Sequence, residues 1–378
     1  MRIWKKATGA LKDRYSILVA KLSPYGPCRN PDLETAIIKA TSHDEQFMDY
    51  KNVQRVFQWL RMSQLYLKPL LYTLSLRLER TRSWVVALKG LMLIHGLFCF
   101  ELPAVHVMGR LPFDLSHFSD RHISPENAWF FNAFVRSYFA YLDQRSILAH
   151  LEVKRESKNA KTELTLMEEL RNLEKLQGLT DKLLQIKPRN KNHMNVVLIL
   201  EAMDCVVEEV LEVYGKFSKG VDRVLLRIFD IGGKEEASVF LDILVKAEVQ
   251  GGKLSLYFDF CKDIGVLSAS QCPKIVRIPE KDIEELHRMI NGGESDDKAI
   301  VLVRDCSAIA TISEQKGLKT VITDQWEVFD DDIIVDVNQN ASSIVPSVTA
   351  INPFVESYSL VPYCNPVHNY DFPDLISL

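Results

Sequence analysis

The sequence predicts an all-α fold: a stack of antiparallel helices over residues 1–268, followed by a largely disordered acidic tail over 269–378. Three observations lead there. Apolar residues recur at three- and four-residue spacing through the first 265 positions, the period of one buried helix face. Strand-like alternation is nearly absent before residue 270. Beyond it the charge balance turns: residues 269–378 hold 8 Lys and Arg against 18 Asp and Glu, a net −10 that leaves the rest of the chain at +6.

The first element predicted is an amphipathic helix over residues 1–22. Trp4, Leu11, Tyr15 and Leu18 fall near one face, flanked by Lys5, Lys6, Lys12 and Arg14. Such a face suits the interface of an anionic membrane; the alternative is a plain first helix docked on the core. Residues 1–30 carry seven basic side chains and a single acid, Asp13. Pro24, Gly26 and Pro27 break the chain. Two short helical patterns follow, one through Leu33, Ile37 and Ala40, the other through Val53, Val56, Phe57 and Leu60. The polar turn region between them carries Lys39, Thr41, His43 and Lys51. Polar groups at the joint of two packed helices can form a small anion site, and helix-start amides favour phosphate there.

Tyr66–Arg80 shows a buried leucine stripe, with Pro69 tolerated in its first turn. Ser83–Glu101 is apolar nearly all round and reads as a central helix, with His95 a core histidine. At this length, and interrupted by Lys89 and His95, it is not a membrane span. Asn127–His150 is a long aromatic helix, 154–161 a charged connection, and Leu164–Ile186 a leucine-striped helix. The pattern of His193–Ile231 ends at Gly232-Gly233. Glu235–Val249 and Leu254–Ile264 are read as separate helices, broken at Gly251-Gly252, and Pro279–Ile290 as one more. From Thr320 onward there is no Lys or Arg against nine acids, a composition that favours disorder.

The seven cysteines are dispersed with no CxxC pair, as expected for reduced thiols in the cytosol. No continuous apolar run follows Lys5 and Lys6, so no signal peptide is expected. Walker, GxSxG, HExxH and glycine-fingerprint motifs are absent, and His106, His117 and His122 do not fit a common zinc spacing. No enzyme activity, cofactor or metal is expected. Neither a zinc finger, an aromatic RNA-binding motif nor a long basic helix points to nucleic acid.

Ile38-Lys39-Ala40-Thr41-Ser42-His43-Asp44 resembles the K-A-T-x-H signature of the ANTH domain, which heads the phosphatidylinositol-binding clathrin assembly proteins. Residues 82–89 (RSWVVALK), with His95-Gly96, and residues 131–136 (FNAFVR), with Tyr141-Leu142-Asp143, match further family segments in the expected order. The resemblance covers roughly residues 1–265 and is nearest to the plant branch. It implies an ANTH-type helical solenoid and an endocytic adaptor that is cytoplasmic and peripheral to membranes. Coated pits and vesicles of the plasma membrane, and the Golgi, are its implied locations. It also implies a headgroup site for phosphatidylinositol phosphates, PI(4,5)P2 among them, at Lys39, His43 and Lys51, and an N-terminal segment, with Trp4, Lys5, Lys6, Leu11 and Lys12, that folds against the bilayer. The family's later basic cluster reads Asp49, Tyr50, Lys51, Asn52 here; only Lys51 keeps the charge. Asp49 opposes a phosphate by like-charge repulsion, so weakened binding is expected. The alternative is that both lysines are ordinary solvated side chains and His43 caps a turn.

The tail carries short motifs. Asn352-Pro353-Phe354 matches the turn bound by EH-domain proteins. Leu375, Ile376 and Leu378 resemble a box for the clathrin heavy chain, without its trailing acid. Trp326 and Phe329, before Asp330, resemble a motif read by adaptor appendages. The family also binds vesicle SNARE helices, and the corresponding stretch, Glu235–Val266, offers Val239, Leu241, Leu244, Leu254 and Phe258 as a groove; the alternative is that these close the core. A rival to the adaptor is a helical scaffold or SNARE-cargo module with weak or no phosphoinositide recognition, kept open by Asp49.

Overall fold

The computed structural model describes residues 2–22, 29–100, 102–158, 164–188 and 196–292. These are helical and contain no strand. The helices are α1 (Arg2–Leu22), α2 (Pro31–Ala40), α3 (Tyr50–Met62), α4 (Leu67–Arg80), α5 (Trp84–Phe98), α6 (Pro103–His106), α7 (Pro125–Lys158), α8 (Leu166–Leu183), α9 (Val197–Ile231), α10 (Lys234–Asp263) and α11 (Glu280–Asn291). Short 3-10 turns cover Gln64–Tyr66 and Leu267–Ser270.

Local sequence sets the helix starts. Asn30 caps α2 through hydrogen bonds from the amides of Asp32 and Leu33, and Pro31 occupies the first turn, where its missing N–H costs nothing. Asp49 caps α3 by accepting the Asn52 amide. Thr165 and Glu168 form a reciprocal capping box on α8. Successive helices then pack on one another in a solenoid: α1 on α2, α2 on α3 and α4, α4 on α5, α5 on α7, α7 on α8, α8 on α9 and α10, and α11 on α10. The α5 helix is buried along its whole length and packs against α7 and α9.

Inside that core, His95 of α5 hydrogen-bonds Tyr138 of α7 through Nδ1 (2.6 Å) and Glu209 of α9 through Nε2 (3.1 Å). Arg145 pairs with Glu209 at 2.6 Å, and the Tyr141 hydroxyl donates to the same carboxylate. Burial pushes Glu209 up, but the Arg145 charge and the hydrogen bonds from His95 and Tyr141 outweigh it and hold Glu209 at about 2. The core-histidine expectation is met, and the histidine joins three helices.

Three expectations are corrected. The chain does not break at Gly251-Gly252: α10 is one helix from Lys234 to Asp263. Two glycines weaken a helix by about 1 kcal/mol each relative to alanine without ending it. Gly251 has a packing reason, since a Cβ there would stand 2.5 Å from Ile275 Cγ2. Helix α7 continues to Lys158, through much of the charged connection, and α9 begins at Val197, not His193. The stretch assigned to the tail begins as part of the helical fold: Ala269 is buried and α11 packs on α10. The tail expectations from residue 293 onward fall outside the described residues.

Candidate membrane-binding surface

Helix α1 sits on α2 by its small and polar side. Gly9 is buried against the α2–α3 loop, where a Cβ would stand 2.7 Å from His43 Cβ, and Ala20 is buried as well. The opposite face is apolar and points to solvent: Leu11, Tyr15, Leu18 and Leu22 are 69%, 67%, 54% and 74% exposed. Their spacing of four, three and four residues places them in one stripe. Exposed Lys12 flanks it on one side, exposed Arg14 and Lys21 on the other. The helix is therefore docked, as the plain first-helix reading expects, and its apolar face is unpartnered within the described residues. Trp4, Lys5 and Lys6 lie in the α1 backbone; their side chains fall outside the described residues.

The α2–α3 loop is held from three directions. Thr41 closes α2, its hydroxyl donating to the Ile37 carbonyl at 2.7 Å. Arg77 of α4 donates to the Thr41 hydroxyl, to the Thr41 carbonyl and to Asp13 of α1, each at 2.7 Å. Asp13 also accepts the His43 amide (2.8 Å) and pairs with His43 Nδ1 (2.8 Å). Burial raises the Asp13 carboxyl, but the His43 and Arg77 hydrogen bonds outweigh it and hold Asp13 below the usual carboxylate range. From beneath, the buried Lys89 ammonium donates to the Ser42 hydroxyl at 3.3 Å, and burial lowers its pKa against the pull of Asp44 and Glu201. Glu201 of α9 accepts the Met48 amide at 3.2 Å, and burial pushes Glu201 up to about 7.

Of the predicted headgroup residues, Lys39 at the end of α2 and Lys51 in the first turn of α3 are exposed at the two ends of this loop. His43 is instead engaged by Asp13. Asp49 is committed to its own helix: it accepts the Asn52 amide at 3.2 Å and the Asn52 side-chain amide at 2.6 Å. Asn52 is buried. Arg77 and Asp13 were missed. The sequence signal available for Asp13 was its isolation as the one acid among the first thirty residues; Arg77, on a helix read for its leucines, offered none.

Of the two readings of Glu235–Val266, closing the core holds for three of the five residues. Leu244, Leu254 and Phe258 are buried in the core, so the α10 face they define is already packed. The exposed apolar residues of α10 are Val245, Val249 and Leu256. The NPF, clathrin-box-like and WxxF segments lie outside the described residues. Among the described residues no helix is long and apolar enough to cross a membrane. His95, Cys99 and Glu209 bring potential metal-ligand atoms within 4.8 Å of one another. Both His95 nitrogens are hydrogen-bonded there, and the Glu209 charge is met by Arg145, so this donor set reads as a core network.

Residues 32–292 match the family model of the ANTH domain. Among similar proteins, two from Arabidopsis thaliana, both named "putative clathrin assembly protein", are 46% and 44% identical. Each alignment covers 88% of this chain, and 88% and 89% of the relatives. A third Arabidopsis protein of the same description is 41% identical over 77% of this chain and 82% of its own.

Proposed function

The chain belongs to the ANTH domain family, and from that premise we propose that it is an endocytic clathrin adaptor acting on phosphoinositide-bearing membranes. The observation that carries this reading is the solvent-facing stripe of α1, Leu11, Tyr15, Leu18 and Leu22, set between basic side chains on a helix seated beside the Lys39–Lys51 loop. A buried position would serve such a stripe better than water does; the interface of an anionic bilayer supplies one, with headgroups for Lys12, Arg14 and Lys21. Lys39 and Lys51 take the phosphates of an inositol headgroup, and Asp49 lowers the affinity of that contact.

In this reading the acidic segment that follows α11 recruits the coat. Leu375, Ile376 and Leu378 engage the clathrin heavy chain, Asn352-Pro353-Phe354 an EH-domain protein, and Trp326 with Phe329 an adaptor appendage. Several weak motifs on one chain act together through effective concentration once the front end holds the membrane. The exposed Val245, Val249 and Leu256 of α10 favour a second reading, a scaffold that docks an apolar helix such as a SNARE on this face.

The double variant Lys39→Glu, Lys51→Glu tests the headgroup assignment in the full chain. It is expected to leave vesicles that contain phosphatidylinositol bisphosphate. Retention at the wild-type level would sink the assignment and favour the scaffold.

A further inference from the structure

The carboxylate of Asp13 sits where an incoming anion would. It is gripped by a backbone amide (His43 N, 2.8 Å), a ring nitrogen (His43 Nδ1, 2.8 Å) and a guanidinium (Arg77, 2.7 Å) that Thr41 orients through two further hydrogen bonds. A main-chain N–H, an imidazole and an arginine converging on one point suit a phosphate as well as a carboxylate. All three side chains are shielded while α1 is in place: Asp13 is 13% exposed, His43 20% and Arg77 11%. Access to the cradle therefore requires α1 to move.

The seat of α1 is of a kind that can be exchanged. Its core-facing side offers Gly9, Asp13, half-buried Ile17 and Ala20, whereas Leu11, Tyr15, Leu18 and Leu22 face solvent. Ile17 is the one large apolar side chain of α1 on that side among the described residues, so the Asp13 clamp is a main tie of α1 to the fold. We infer that Asp13 is an internal stand-in for a phosphomonoester: a phosphate group takes the His43 and Arg77 donors, displaces Asp13 and frees α1 with its apolar stripe. Arg77 thereby becomes a phosphate ligand exposed only on release, on α4 beside the Lys39–Lys51 loop. This rests on the phosphoinositide reading above and adds a competition to it. No covalent bond changes; one anion replaces another on the same donors.

The test is amide exchange of residues 8–20 in the full-length protein, with three probes: inorganic phosphate, soluble inositol 1,4,5-trisphosphate, and phosphatidylcholine vesicles carrying phosphatidylinositol bisphosphate. Binding is measured in parallel by calorimetry and co-sedimentation. Faster exchange with either soluble probe supports the exchange of anions and shows that a free phosphate suffices. Release only on vesicles supports it with the lipid headgroup as the source. Asp13→Ala is expected to raise exchange without any ligand and to tighten vesicle binding about tenfold, the scale of one lost charge-assisted contact. Gly9→Ala, which unseats α1 by sterics and keeps the charge, is expected to do the same in kind; unchanged thermal unfolding would show that neither variant merely misfolds. Probe binding with α1 exchange unchanged overturns the competition and leaves the phosphoinositide reading standing. No binding by wild type or by Asp13→Ala overturns both. Binding by Asp13→Ala alone supports the competition, with Asp13 as the stronger competitor.

Discussion

Replacing Leu11 and Leu18 with serine separates a membrane-facing stripe from an ordinary part of the core. Fully burying a leucine side chain contributes roughly 2 kcal/mol. Scaled by exposures of 69% and 54%, transfer of the two side chains into the interface contributes about 1.4 and 1.1 kcal/mol, or about 2.5 kcal/mol together. That corresponds to a loss of membrane affinity of roughly sixtyfold. The same exposures mean that folding gains little from them, so stability should move by no more than about 0.5 kcal/mol per site. The assay is titration of full-length wild type and Leu11→Ser, Leu18→Ser with vesicles of fixed composition, beside thermal unfolding of both. Two results refute the reasoning: affinity within threefold of wild type, or a stability loss of several kcal/mol, which would place the stripe in the core.

Further outcomes follow from the buried charges and the tail. Arg145→Met strips the cation from buried Glu209 and should destabilise the fold by about 3–5 kcal/mol; calorimetric unfolding checks this, and adding Glu209→Gln should restore part of the loss. Glu201 titrates at about 7 in the folded chain against an ordinary 4.5. Between those values the folded state binds the extra proton, so this group's contribution makes stability fall as pH rises. Glu201→Gln should therefore gain on wild type between pH 5 and pH 8, by about 1 kcal/mol after allowance for its partial exposure; a gap independent of pH would contradict the burial of that carboxylate. Removal of Leu375–Leu378 should weaken clathrin pull-down by the full chain, and an undiminished pull-down would reject that box.

The helix order was legible because each helix buries one face and leaves a three-and-four pattern behind, as in α2, α3, α4 and α8. Boundaries were less so where tertiary packing overrides a local signal. Gly251-Gly252 reads as a break by propensity, yet Gly251 makes room for Ile275 within a continuous helix. Leu244, Leu254 and Phe258 could line a groove or close the core by spacing alone, and packing of α10 settles them in the core. At the candidate site the exposed lysines could be named from spacing and resemblance, because a surface cation needs no partner from afar. Asp13, His43 and Arg77 could not be joined, since their contacts span 30 and 64 positions and depend on how α1 and α4 meet the α2–α3 loop. The face of α1 was legible, but not that it docks with its apolar side outward.

The most direct measurement is co-sedimentation of the full-length protein with vesicles of matched surface charge, with and without phosphatidylinositol bisphosphate, at physiological salt. The account predicts preferential sedimentation with the phosphoinositide, lost on Lys39→Glu, Lys51→Glu. Equal binding to plain anionic vesicles of the same charge would contradict it, leaving a helical scaffold whose loop lysines read no headgroup.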